Sequence, residues 1–201
     1  MDDVHEGLDG EVSRAAFRRL LRTSAAIPVA DLASDLGRPE REVRVRVEEL
    51  HRGGRLRLDE EGRIVGAVGL SVSPDRHRIE LGGRTFWTWC AYDILGIFGA
   101  LGADGSASST SPHSGASLEV DFHRGRPEPT SLVLFRPDDG YMSCCANVYE
   151  DWCPNSNLFE SREAASAWAT ARRLPGRVLG LAEAADLATG SWAPLVDELH
   201  L

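Results

Sequence analysis

Residues 77–101 read HRIELGGRTFWTWCAYDILGIFGAL. Two β-prone runs, His77 to Leu81 and Arg84 to Trp87, flank Gly82-Gly83, a hairpin signal because glycine takes positive φ at no steric cost. From Trp89 to Leu101 the chain turns almost wholly apolar, which predicts a helix buried on most of its surface. Cys90 and Asp93 stand three residues apart in its first turn, so thiol and carboxyl share one face. A helix N-terminus favours the thiolate, and a partly buried carboxyl can hold a proton near neutral pH. The pair is a nucleophile with its own proton store. The plainer alternative is a core thiol beside Trp87 and Trp89, and an isolated Cys-x-x-Asp spacing does not exclude it.

Upstream of this stretch, residues 11–22 place Val12, Ala15, Ala16 and Leu20 on one stripe, with Ser13 as a cap, and predict a first helix. Val29 to Leu36, stopped by Gly37, predicts a second, and Pro39 opens a third in which Val43, Val47 and Leu50 repeat at i, i+4 and i+7. Leu56 to Leu58, a turn at residues 59–62, and Ile64 to Val72 read as a hairpin. Three helices and a hairpin suggest a winged-helix-like module over residues 1–75. Downstream, residues 102–115 are small and polar, a loop long enough to hide a strand. Ser117 to Phe122 alternates, Ser131 to Phe135 is an apolar strand, and residues 136–153 carry no regular pattern. A helix from Glu163 to Arg172, a strand from Arg177 to Leu181 and a helix from Glu183 to Leu187 complete residues 76–201. The fold class expected is α+β, a helical module followed by a catalytic domain with a mixed or antiparallel sheet.

The chain has 201 residues, 42% apolar and 26% charged, enough to bury a real core. Its start shows neither the basic nor the apolar region of a signal peptide and no run of 18 apolar residues occurs, so a cytoplasmic location and no membrane contact are expected. The net charge of −9 argues against wholesale binding of nucleic acid. Residues 11–58 nevertheless hold 11 Arg against 7 acidic residues. All 22 basic residues are Arg, which carries no functional reading. The four cysteines, at 90, 144, 145 and 153, are thiols in a reducing compartment, free for metal binding or catalysis. The six His, at 5, 51, 77, 113, 123 and 200, are scattered and read as surface residues.

Phe86-Trp87-Thr88-Trp89-Cys90-Ala91-Tyr92-Asp93, behind its hairpin and helical module, resembles the organomercurial (alkylmercury) lyase family, whose pattern there is aromatic-Ala-Trp-Cys-Ala-x-Asp. The resemblance runs from about residue 11 to 195. Ser131-Leu132-Val133-Leu134 is similar to the family's Ser-Leu-Val-Leu strand. Trp152-Cys153-Pro154-Asn155-Ser156-Asn157-Leu158-Phe159-Glu160-Ser161 is similar to its Phe-Cys-Cys-His-Val-His-Phe-Phe-Ala-Ser. Cys144-Cys145 copies the family's Cys-Cys dipeptide but lies too early relative to Phe159 and Ser161. The frame therefore makes Cys153 the counterpart of the second catalytic thiol, with Cys144 and Cys145 in an insertion, as substitutes for it or as relays of the metal. The chain departs from the family where a third cysteine becomes Ser111 or a neighbour in Ser-Thr-Ser-Pro-His, and two histidines become Asn155 and Asn157.

The resemblance implies a carbon–mercury lyase acting by protonolysis. Hg(II) prefers thiolates, and the departing carbon needs a proton. Cys90 and Cys153 would hold the metal, Asp93 would protonate the carbon, and Trp89 would pack against the organic group or the cation. The implied partners are the small organometallic substrate, cytosolic thiols that remove Hg(II), and mercuric reductase. No organic cofactor is implied. Two other classes fit parts of the pattern. A metal-sensing regulator would use the helical module on DNA, but Arg41, Arg44, Arg46 and Arg52 are interspersed with Glu40, Glu42, Glu48 and Glu49, which oppose phosphate. A mercury or copper carrier would keep the thiols and have no need of Asp93. Structural zinc lacks a Cys-x-x-Cys pair.

Overall fold

A computed structural model describes residues 7–196. Helix α1 (Gly7–Thr23) begins about one turn before the expected start and buries Val12, Ala16, Phe17, Leu20 and Leu21. Ser13 therefore lies inside the helix and caps nothing; its hydroxyl is buried without a partner. Helices α2 (Val29–Asp35) and α3 (Glu40–Arg52) both start directly after a proline, Pro28 and Pro39, whose fixed φ leads into the first turn. Their apolar faces close on α1, and Arg side chains on and just before α3 bind acids: Arg44 pairs with Glu40, Arg46 with Glu49, and Arg38, ahead of the helix, with Glu11 and Glu42.

The strands follow as β1 (Leu56–Leu58), β2 (Ile64–Ala67), β3 (Leu70–Ser71), β4 (His77–Leu81), β5 (Arg84–Thr88), β6 (Gly105–Thr110), β7 (Ser117–His123) and β8 (Arg126–Pro127). They form one antiparallel sheet in the order β1-β2-β3-β5-β4-β6-β7-β8, so strands from both sides of residue 75 share it. The run Ile64 to Val72 is two strands, broken by a turn at Val68 and Gly69, both at positive φ. The polar loop at 102–115 contains β6, whose small residues fit a crowded position between β4 and β7. His77 is buried, against the expectation of a surface residue, with its Nδ1 2.7 Å from the Ser109 hydroxyl; burial holds its pKa down to about 3. His5 and His200 lie outside the described residues.

Helix α4 (Ala91–Leu101) is buried from Ala91 to Phe98 and ends at Gly102 in the left-handed conformation. Helix α7 (Leu181–Val196), far longer than the expected Glu183 to Leu187, lies against it: the Trp192 ring rests where Gly96 has no side chain, and Thr189 does so at Gly99. The second sheet is antiparallel, β10 (Asn157–Phe159), β9 (Val133–Pro137) and β11 (Gly176–Gly180), with β9 central. Helix α6 (Arg162–Arg172) covers one face of it, capped by the Ser161 hydroxyl and packed through Trp168 on Phe135 and Phe159. The patternless stretch at 136–153 holds a short helix α5 (Asp139–Ser143) and a π-helical turn at Val148–Trp152 that leads into a 3-10 turn at Cys153–Asn155. The fold is α+β with antiparallel sheets. No described helix is long and apolar enough to cross a membrane.

Candidate active site

Cys90 is the N-cap of α4 and Asp93 is its third residue, so the carboxylate turns back and accepts the Cys90 N–H at 2.8 Å. This is the carboxylate half of a capping box, which fixes Asp93 over the helix start. The Cys90 backbone is held from the other side, its carbonyl accepting the Thr88 hydroxyl at 3.1 Å. The Ala91 N–H donates to the Ser156 carbonyl at 3.0 Å, which ties the start of α4 to the turn carrying Cys153. The two thiol sulfurs and an Asp93 oxygen lie within 4.8 Å of one another, all three residues buried. Cys144, exposed, and Cys145, half-buried with its thiol donating to the Tyr141 carbonyl at 3.1 Å, are not members of the cluster.

The segment bearing Cys153 is anchored by packing that sequence spacing does not reveal. The π-helical turn sets Trp152 and Cys153 inward, and π-turns of this kind concentrate at functional sites. Tyr149 is held between the guanidinium groups of Arg57 and Arg76, 3.8 and 4.5 Å from its ring centre, and meets Trp89 edge-on. Gly54, at positive φ, lets this turn approach: a Cβ there would lie 2.1 Å from the Asn147 side-chain oxygen.

A small cavity of about 50 Å³ opens beside the cluster. Cys153 and Asp93 line it; Cys90 sits behind them. Four aromatic side chains, Trp89, Tyr92, Trp152 and Trp192, contribute to its walls. Gly69 closes one side so tightly that a Cβ would come within 2.5 Å of the Asp93 carboxyl carbon. Its neighbour Val68, a β-branched residue at φ 47°, is held in this strained state by the Trp192 indole, which donates to its carbonyl at 3.0 Å. Arg55 also lines the cavity.

Burial dominates the electrostatics. It pushes the Asp93 carboxyl up to about 7, only partly opposed by hydrogen bonds from Cys90. It also pushes the Cys90 thiol well above its ordinary value, helped by the hydrogen bond with Cys153 and the charge of Asp93. Both groups are thus held close to sharing protons, a carboxylate able to accept one and a thiol needing a partner to release one. Two soft sulfur donors and one acid make a ligand set for a thiophilic metal with a proton donor alongside.

Ser111 is buried and its hydroxyl accepts the N–H groups of His113 and Ser114 at 3.3 and 3.4 Å. Asn155 donates to the Tyr141 hydroxyl and the Asp151 carbonyl, and Asn157 to the Pro154 carbonyl, so both are occupied in shaping the turn after Cys153. Arg55, Val68, Gly69, Trp152 and Trp192 escaped the reading of the sequence; only Gly69, between two apolar runs, carried a signal there.

Residues 70–192 match the family model described as alkylmercury lyase. The alkylmercury lyase of Staphylococcus epidermidis is 32% identical over 160 residues, 76% of this chain and 70% of that one. That of Bacillus cereus is 29% identical over 192 residues, 91% of this chain and 83% of that one. The fold is similar to the crystal structure of the mercury-bound form of MerB2, with a TM-score of 0.82 at 24% identity, covering 96% of this chain and 94% of that one.

Proposed function

Because the chain belongs to the alkylmercury lyase family, we propose that it cleaves carbon–mercury bonds by protonolysis, with Cys90, Cys153 and Asp93 as the reacting groups. The observation that carries this reading is the buried triad itself, two sulfurs and a carboxylate within 4.8 Å, with the carboxyl at about 7. Cys153 faces the cavity and takes the organomercurial R–Hg–X first, its thiolate forming an Hg–S bond as X leaves with the bonding pair. Cys90 then passes its proton to Asp93 and adds its sulfur to the metal. With two thiolates donating to mercury, the C–Hg electron pair becomes basic, and Asp93 returns the proton to carbon. R–H departs, Asp93 is a carboxylate again, and Hg(II) remains on two sulfurs with no change of oxidation state.

The aromatic walls fit an apolar R group, with Trp89 placed to pack against it. Water is kept out by the same rings, which preserves the raised carboxyl. Small thiols in the cytoplasm would remove Hg(II) by ligand exchange, and mercuric reductase is the class of protein to receive it; no organic cofactor enters this scheme. Residues 1–75 would act as a winged-helix-like module that packs over the thiol site of residues 76–201, since Val68 and Gly69 form part of the cavity wall.

The test is headspace gas chromatography after incubation with phenylmercury and excess small thiol. Wild type should release benzene, and Cys90→Ala, Asp93→Ala and Cys153→Ala should each abolish it. Activity surviving in Cys153→Ala alone would transfer the second thiol to Cys144 or Cys145. Mercury binding by wild type without benzene would replace the lyase with a carrier.

A further inference from the structure

Two tryptophans with unpaired indole donors and one half-buried arginine line the thiol cavity. The indole nitrogens of Trp89 and Trp152 are buried without a partner, and both side chains, only 2% and 3% exposed, line the cavity. Arg55 lines it too, and among the described residues its guanidinium makes no hydrogen bond or ion pair. Burial pulls the Arg55 pKa down, partly offset by the neighbouring Cys153 and Cys145. A buried donor left unpaired is costly, and a cavity walled by two such indoles beside a cation lacks an acceptor. The same structure satisfies Trp192, whose indole reaches the Val68 carbonyl at 3.0 Å. A further orphan indole, Trp168, lies in the separate cluster around Phe135 and Phe159.

We propose that Arg55, Trp89 and Trp152 form a thiolate-accepting site, where the anionic sulfur ligand X of an incoming R–Hg–X rests as it leaves the metal. The inference rests on the lyase reading and adds to it a place for the leaving thiolate. In the exchange the Cys153 sulfur forms its bond to mercury, the Hg–X bond breaks, and the electron pair leaves on X. The negative charge thus moves from Cys153 to X within one cavity. A guanidinium and two indole N–H groups stabilise it wherever it stands, as fixed donors do for a developing oxyanion. The site is apolar elsewhere, which suits a large polarisable sulfur over a hydrated oxyanion.

Thiocyanate, a soft monoanion bearing sulfur, is the probe for the metal-free protein. The five tryptophans yield separate indole N–H signals in a nitrogen–proton correlation spectrum, with Trp89 and Trp152 assigned from Trp89→Phe and Trp152→Phe. Both signals should move downfield saturably as thiocyanate is added, and Arg55→Gln should raise the half-saturating concentration about tenfold. Trp152→Phe, which keeps an aromatic ring of smaller size and removes the donor, should slow first-turnover benzene release from a phenylmercury–thiolate complex about tenfold. The other indole signals report that each variant is folded. Signals that stay in place, or that titrate identically in Arg55→Gln, overturn the proposal. Saturable shifts with no benzene from wild type would retire the lyase reading while the anion site stands.

Discussion

Asp93 sits where two demands conflict. Burial raises its pKa from 3.8 to about 7, so between those values the native chain holds a proton that the unfolded chain has lost. Stability from this group is therefore full on the acid side and falls as pH rises toward 7 and above. Asp93→Asn removes the conflict. Urea titrations should show the variant more stable than wild type at pH 8, by up to about 4 kcal/mol, with the difference shrinking toward zero near pH 4. The same variant should bind phenylmercury and release no benzene, because the thiols persist and the proposed proton donor does not. His77 acts in the opposite sense: its pKa is lowered to about 3, so its contribution is lost as pH falls from 6.5. Comparing wild type with Asp93→Asn cancels that background.

At the scale of elements, the site depends on backbone approaches that only glycine permits. Gly69 at φ 90° brings the turn between β2 and β3 onto the Asp93 carboxyl. Gly69→Ala should cost about 2 kcal/mol or more in denaturant unfolding and, by displacing the carboxyl, cut benzene release at least tenfold even where the protein stays folded. Gly96 performs the matching task between α4 and α7, where a Cβ would lie 2.2 Å from the Trp192 ring. Gly96→Ala should lower stability by about 1–3 kcal/mol through overpacking. Trp192 also holds the Val68 carbonyl, so this substitution should disturb the cavity wall as well, read as a rise in KM for phenylmercury.

Across the whole molecule, the eight-stranded sheet carries strands from both sides of residue 75, and the cavity takes its walls from α4, α7, the β2–β3 turn and the π-helical turn. Unfolding should be one cooperative transition by calorimetry, and a chain beginning at residue 76 should lack it, having lost β1, β2 and β3 from the sheet. Mercury held by Cys90 and Cys153 would cross-link the α4 start to the turn before β10. Stoichiometric Hg(II) should therefore raise the Tm of wild type by several degrees, and Cys153→Ser should lose most of that shift.

Local physics made much of this readable in advance. The Gly82-Gly83 hairpin, the apolar run of α4, the i, i+4, i+7 face of α3 and the Cys90–Asp93 spacing each follow from chain geometry within a few residues, and each element stands where it was expected. The choice of Cys153 over Cys144-Cys145 came from the frame of a family resemblance, since nothing within the chain's own pattern singles it out. What the sequence could not carry was everything set by contacts distant along the chain: the extent of α7, the strand within residues 102–115, the burial of His77, and the cavity built from Arg55, Val68, Gly69, Trp152 and Trp192. Periodicity reports which face of an element seeks the core. Only the packed chain decides which side chains meet there, because the desolvation that raises the Asp93 and Cys90 pKa values and leaves two indole donors unpaired exists only once residues 55 to 192 enclose one space.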